Sequence, residues 1–314
     1  MTVVSNDPSS WLWITSWRIS SYFVVAASVG VTYDWALTLG QEVELVWRQR
    51  WSLMTVLYLS VRYLGISFAV LNILINVPTI FLTDAVSWSL YITVNWMYVV
   101  IFPMLRVIVI TRLHAMYQQS RKMLIFLIAI FLADTIFNVV VFVMSTRHTS
   151  GEEYILSGTY DCAITYKDNF LLLDSMTWIF GTVWEVIVLF LAVWIAVKHF
   201  RELRQHSTGG VMEDCFTVLI RSHVFYFLSF LAVSCLNLMV FSPAISVNPN
   251  VLRVDFYYGT LQVLTVVQMF VLGPRLILGI RDYTAKLVTD SDAATHMTSI
   301  AFEERVHIST GSGV

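Results

Sequence analysis

Residues 123–145 read MLIFLIAIFLADTIFNVVVFVMS, a run of 23 residues in which Asp134 is the one charged side chain. A helix needs about 20 mostly apolar residues to cross the hydrocarbon core of a bilayer. The segment meets that requirement in both length and composition. It therefore predicts a transmembrane helix and, with it, an integral membrane protein.

The composition of the whole chain agrees with this prediction. Of its 314 residues, 57% are hydrophobic and 13% are charged, and the mean hydropathy is +0.72. Soluble domains are nearer half apolar and a quarter charged, so this much apolar surface must face lipid. The net charge of −2 argues neither for nor against nucleic acid, and none is expected as a partner.

Six other segments have the same character, which gives seven predicted spans. In chain order the predicted spans are 19–39, 52–77, 88–111, 123–145, 170–197, 216–241 and 255–280. The predicted fold class is all-α, a seven-helix transmembrane bundle over residues 19–282. Residues 1–18 are expected to be extracellular, and the polar tail 283–314 is expected to be a disordered cytoplasmic segment.

The positions of lysine and arginine predict the orientation of the bundle. Of the 19 such residues, thirteen lie in connectors or near span ends on one side, four lie on the other side, and Arg62 and Arg106 lie deeper within spans. Cytoplasmic loops carry the excess of positive charge in membrane proteins. The bias predicts an outside N-terminus and a cytoplasmic C-terminus, which requires an odd number of spans.

Ionisable and polar side chains within the spans are the candidate functional residues, because charge in hydrocarbon is costly. We expect Asp34 to pair with Arg62 or Arg106, and the second arginine to pair with a remaining acid or with helix-end carbonyls. A packing role is favoured over a ligand or ion site. The predicted intramembrane polar network consists of Asp34, Arg62, Asn95, Arg106, Asp134, Glu185 and His223.

Motifs for catalysis are absent from the sequence. It has no HExxH, GxSxG, glycine-rich phosphate loop or Cys-x-x-Cys, and the seventh span has no lysine for a retinal Schiff base. His223 could bind a metal with Glu185, although a lone inward histidine is more often a hydrogen-bonded core residue. We therefore predict a protein without enzymatic activity, cofactor or metal.

The cysteines leave one alternative open. Cys162, in the predicted outer loop, and Cys235, near the outer end of the sixth span, could form a disulfide in an oxidising compartment. Two free thiols are the favoured alternative.

A second pattern lies at the end of the first span and in the loop after it. This pattern consists of Tyr33, Asp34, Glu42, Glu44, Trp47, Arg48 and Trp51. It resembles the N-terminal signature of a fungal family of multi-span membrane proteins, the domain of unknown function 6533. The resemblance implies the same topology but no activity. The charges and tryptophans between Glu42 and Trp51 are also typical of a solvated interfacial turn.

Three functions remain open from the sequence. The first is a receptor-like protein that senses an unknown ligand through its outer loops, chiefly 146–169, and signals to a cytoplasmic partner. The second is a transporter or channel with a charged path through the membrane, and the third, least favoured, is a membrane-embedded enzyme. The expected location is the plasma membrane or another membrane of the secretory pathway.

Overall fold

Long helices account for most of the chain in the computed structural model. The structure describes residues 2–5, 11–49, 51–77, 83–117, 120–156, 159–166, 170–205, 226, 228–239, 251–279, 281–282 and 285. The helices, numbered in chain order, are α1 Trp11–Glu42, α2 Leu53–Asn76, α3 Asp84–Met116, α4 Arg121–His148, α5 Phe170–Gln205, α6 Leu228–Met239 and α7 Val251–Val267.

Two helices continue through a π-helical turn. In α1 the turn is Val43–Trp47, and in α7 it is Gln268–Leu272, after which residues 273–279 are again helical. Such turns are rare and shift the side chains that follow them around the helix axis. With its π-helical turn the first helix runs from Trp11 to Trp47, so it starts earlier and ends later than the predicted span 19–39.

Six helices among the described residues are long and apolar enough to cross a membrane. They coincide with six of the seven predicted spans. The predicted span 216–241 is described only at Tyr226 and in α6, which is too short to count by itself. Seven spans therefore remain a prediction, as does the orientation. The predicted tail, 283–314, lies outside the described residues except for Ala285.

The outer surfaces of these helices are strongly apolar. Large side chains that point away from the bundle include Leu37, Ile125, Ile136 and Phe190, each more than half exposed. Soluble monomers rarely expose so continuous an apolar surface, whereas lipid solvates it readily. The exposure pattern therefore agrees with helices that face hydrocarbon.

The helices pack in chain order around the bundle. Helix α1 lies between α2 and α7, α2 packs on α3, α3 on α4, and α4 on α5. Helix α6 contacts α7 through the Tyr257 hydroxyl, which donates to the Leu236 carbonyl at 2.6 Å. The apolar core includes Tyr58, Phe68, Ile101 and Phe270, all buried.

A small sheet accompanies the helices. The strands are β1 Thr2–Ser5, β2 Thr149–Leu156 and β3 Thr159–Tyr166. Strand β1 pairs in parallel with β2, with Thr2 opposite Glu153, and β2 pairs antiparallel with β3, with Thr149 opposite Tyr166. The all-α prediction thus describes the membrane helices, and the predicted outer loop 146–169 contains a hairpin.

Candidate functional site

Among the described residues, the ion-paired intramembrane charges form two separate clusters. The first joins α1, α2 and the end of α7 around Arg62. The second joins α3, α4, α5 and α6 around Arg106. We call them the Arg62 cluster and the Arg106 cluster. The sequence grouped these residues as one intramembrane polar network, and the structure places the described members on two groups of helices, with Arg62 near Asp34 and Arg106 on Asp134.

Arg62 lies along one face of α1. Its guanidinium is 3.6 Å from Asp34 Oδ2 and 2.6 Å from Glu42 Oε2, and it also donates to the hydroxyl of Thr38. Residues 34, 38 and 42 are four apart, so they stack on the same side of a helix. One arginine of α2 therefore binds three successive turns of α1.

Glu42 is the most fully enclosed acid of the Arg62 cluster. Its side chain has no solvent exposure. Besides Arg62, its carboxylate accepts from the Trp47 indole at 3.1 Å, the Tyr63 hydroxyl at 3.0 Å and the Tyr58 hydroxyl at 3.3 Å. A buried carboxylate with donors on both oxygens is well stabilised. The solvated-turn interpretation was therefore wrong for Glu42.

Arg275 completes the charge balance of the Arg62 cluster. It lies just after Pro274 and donates from Nε to Asp34 Oδ1 at 2.5 Å, although half of its side chain is exposed. Two acids, Asp34 and Glu42, thus meet two arginines, and the formal charge is zero. The sequence placed Arg275 among the cytoplasmic charges and did not predict this pair.

Helix α7 is attached to the start of α2 close to this cluster. Ser52 and Thr55 form a capping box at the N-terminus of α2, in which each side chain bonds the backbone N–H of the other. Arg281 donates to the Thr55 hydroxyl at 2.7 Å and to the Leu45 carbonyl at 3.1 Å. Burial lowers the pKa of Arg281 below its usual value.

The remaining residues of the predicted family signature point outward. Tyr33 and Trp51 are each about two-thirds exposed, and Glu44 and Arg48 are exposed as well. Trp47 is half exposed, while its indole N–H reaches Glu42. Within the signature, then, Asp34 and Glu42 form the buried part, and the aromatic residues lie at the surface.

In the part of the chain that the structure describes, the Arg106 cluster contains one arginine and two acids. Arg106 forms an ion pair with Asp134, and its guanidinium lies 5.8 Å from the ring centroid of Trp184. Glu185 is close enough to interact electrostatically with Arg106, and it hydrogen-bonds the Ser234 side chain of α6. Asn138 donates to Asp134 Oδ2 at 2.9 Å.

Other predicted residues fall elsewhere. The Asn95 amide donates to the Tyr91 carbonyl in its own helix at 2.9 Å. His223 lies outside the described residues. Cys235 is a free and exposed thiol, and the side chain of Cys162, its possible disulfide partner, lies outside the described residues. Over the described part of the chain, no group of three histidines, cysteines or acids lies close enough to hold a metal ion.

Long apolar helices with ion-paired charges between them define the class of this protein: it is a multi-pass helical membrane protein. The sequence profile of a family described as "Family of unknown function (DUF6533)" matches residues 22–67. That segment comprises most of α1, its π-helical turn and the first half of α2. The predicted resemblance is confirmed there, whereas a fungal origin stays a prediction. No curated protein matches the chain.

The matched segment and the Arg62 cluster largely coincide. Asp34, Glu42 and Arg62 all lie between residues 22 and 67, as do Tyr58 and Tyr63. The family segment therefore forms a helical hairpin that is closed by its own buried ion pairs. Arg275 and Arg281 add contacts from the other end of the chain.

Proposed function

We propose that this chain is a non-enzymatic, receptor-like membrane protein of seven spans. Its N-terminus lies outside and its C-terminus is cytoplasmic, as the distribution of lysine and arginine favours. Residues 146–169 and the outer helix ends face the ligand side. The basic end of α5, with Lys198 and Arg201, faces a cytoplasmic partner. The membrane is the plasma membrane or another membrane of the secretory pathway.

The observation that carries this proposal is the closure of the Arg62 cluster. Asp34 and Glu42 are engaged by Arg62 at 3.6 and 2.6 Å, and Arg275 binds Asp34 from α7. Charges that conduct ions must exchange partners with water or substrate, whereas these are held by neighbouring helices. A neutral cluster whose acids are bound by neighbouring helices fits a structural role in the bundle, and this favours a receptor-like protein over a channel.

A transporter is the second candidate, and the Arg106 cluster favours it. Asp134 and Glu185 share one guanidinium well inside the membrane, and acids at such depth are typical of ion and proton pathways. The two clusters lie on different helix groups, however, and neither group shows a repeat in the sequence that would mark an alternating-access fold.

Flux through reconstituted protein separates these candidates. The full chain is incorporated into proteoliposomes, and the movement of protons and of monovalent cations is followed with a trapped fluorescent dye. The receptor-like function predicts the same leak as protein-free liposomes. Faster flux that an Arg106→Gln substitution abolishes, with the protein still folded and inserted, would overturn the proposal in favour of transport.

A further inference from the structure

The Arg106 cluster differs from the Arg62 cluster in its charge balance. In the Arg62 cluster two arginines meet two acids. In the Arg106 cluster Arg106 meets both Asp134 and Glu185, while the nearest described groups, Asn138 and Ser234, are neutral. If both acids were ionised, these groups would carry a formal charge of −1. An uncompensated charge in a low-dielectric interior is strongly unfavourable.

Two carboxylate oxygen atoms of this cluster lack a hydrogen-bond donor in the described part of the chain, and they indicate what balances the charge. Asp134 Oδ1 and Glu185 Oε2 are fully enclosed and have no hydrogen-bond partner among the described residues. The side chain of Asp134 is only 6% exposed. A buried carboxylate oxygen without a donor loses its hydration and gains nothing in return. A proton on one of the acids removes the excess charge and supplies a donor.

The two acids are not equivalent as proton carriers. Asp134 Oδ2 takes both the ion pair with Arg106 and the hydrogen bond from Asn138, so this carboxylate is bound as an anion. Glu185 interacts with Arg106 at longer range and is hydrogen-bonded by Ser234. Other charged or titratable groups near it are Tyr226, which faces Glu185, and Arg112, which faces Tyr226.

We propose that Glu185 is a proton-binding site, and that the Asp134–Glu185 pair holds one exchangeable proton in the middle of the membrane. Binding forms one O–H bond on the Glu185 carboxylate and breaks one O–H bond of a hydronium ion, which leaves as water. Release leaves Asp134 and Glu185 as two anions around one guanidinium, which weakens the packing of the helices that meet there. The site stands whether the protein is a receptor or a transporter.

Infrared difference spectroscopy on the full chain in lipid nanodiscs tests this site. Spectra at mildly acidic and mildly alkaline pH are compared for wild type, Glu185→Gln, Asp134→Asn and the exposed control Glu44→Gln. Wild type and the control should show the carbonyl stretch of a buried carboxylic acid, which decreases at alkaline pH. Both Glu185→Gln and Asp134→Asn should lose it, because a single remaining acid is balanced by Arg106 and stays ionised.

Thermal unfolding provides the second readout. The bound proton stabilises the fold, so the wild-type melting temperature should fall as pH rises through the titration of Glu185, and that of Glu185→Gln should change less. Absence of the carbonyl band in wild type, or its survival in either neutralised variant, would overturn the proposal. So would a melting temperature that depends on sodium in place of pH, because a metal cation would then be the balancing charge.

Discussion

Glu42 and Arg62 form a buried ion pair between α1 and α2, with 2.6 Å between Glu42 Oε2 and Arg62 Nε. Neither side chain exposes more than 2% of its surface. Both residues lie within the segment that matches the DUF6533 profile. The pair therefore identifies the physical role of that segment: it fixes the first helical hairpin of the bundle.

Removal of Glu42 should destabilise the hairpin. In Glu42→Ala, Arg62 loses its closest anion and three further donors lose their acceptor, and breaking such a buried pair costs about 3–5 kcal/mol. The matched control is Glu44→Ala, which removes an exposed acid two residues away and should cost less than about 0.5 kcal/mol. Thermal unfolding of detergent-solubilised protein measures both. Equal melting temperatures for the two variants would contradict the assignment.

The Arg106–Asp134 pair should show strong coupling in a double-mutant cycle. Arg106→Met leaves Asp134 buried without its cation and should cost about 3–5 kcal/mol, whereas Asp134→Leu leaves Arg106 with only the longer-range Glu185 and should cost less. The double variant retains neither member of the ion pair, and it should be more stable than the sum of the single effects predicts, by about 0.5–3 kcal/mol. Chemical denaturation in mixed micelles measures the cycle. Additive effects would show that the two groups do not interact.

Because α2 packs closely on α7, alanine substitutions at two glycines should differ in their effect on stability. A Cβ at Gly65 would lie 2.5 Å from Phe270 Cδ1, and Phe270 is buried against Phe68. Gly65→Ala should therefore destabilise the protein by about 1–3 kcal/mol through overpacking. At Gly30 of α1 an added Cβ meets nothing within 4 Å, so Gly30→Ala should be neutral or stabilising by about 0.5–1 kcal/mol. A reversed order of stability would exclude this helix arrangement.

The sequence predicted much of the helical architecture because each span is long, apolar and separated by short polar connectors. It also singled out Asp34, Arg62, Arg106 and Asp134, since a charge in an apolar run stands out. Glu42 was missed as a buried group because it lies among Glu44, Arg48 and Trp47, a composition typical of the membrane interface. Its spacing of eight residues from Asp34, two helical turns, was the available signal.

Other features could not be predicted from the sequence, because no local pattern indicates them. Arg275 lies 241 residues from Asp34, and no local pattern connects them. The π-helical turn at Val43–Trp47 brings the Trp47 indole within reach of Glu42, and such a turn has no sequence signature in this chain. The sequence predicts a loop where the structure has strands at 149–156 and 159–166, because hydropathy averaged over the length of a membrane span does not detect segments of eight residues.

The proposed function depends most directly on the number and direction of the spans. Short epitope tags placed at the two termini, one per variant, can be detected with antibody in intact and in permeabilised cells, after surface delivery of each variant is checked. We predict that the N-terminal tag is accessible in intact cells and that the C-terminal tag is accessible only after permeabilisation. Detection of both tags on the same side would require an even number of spans and would contradict the seven-span topology.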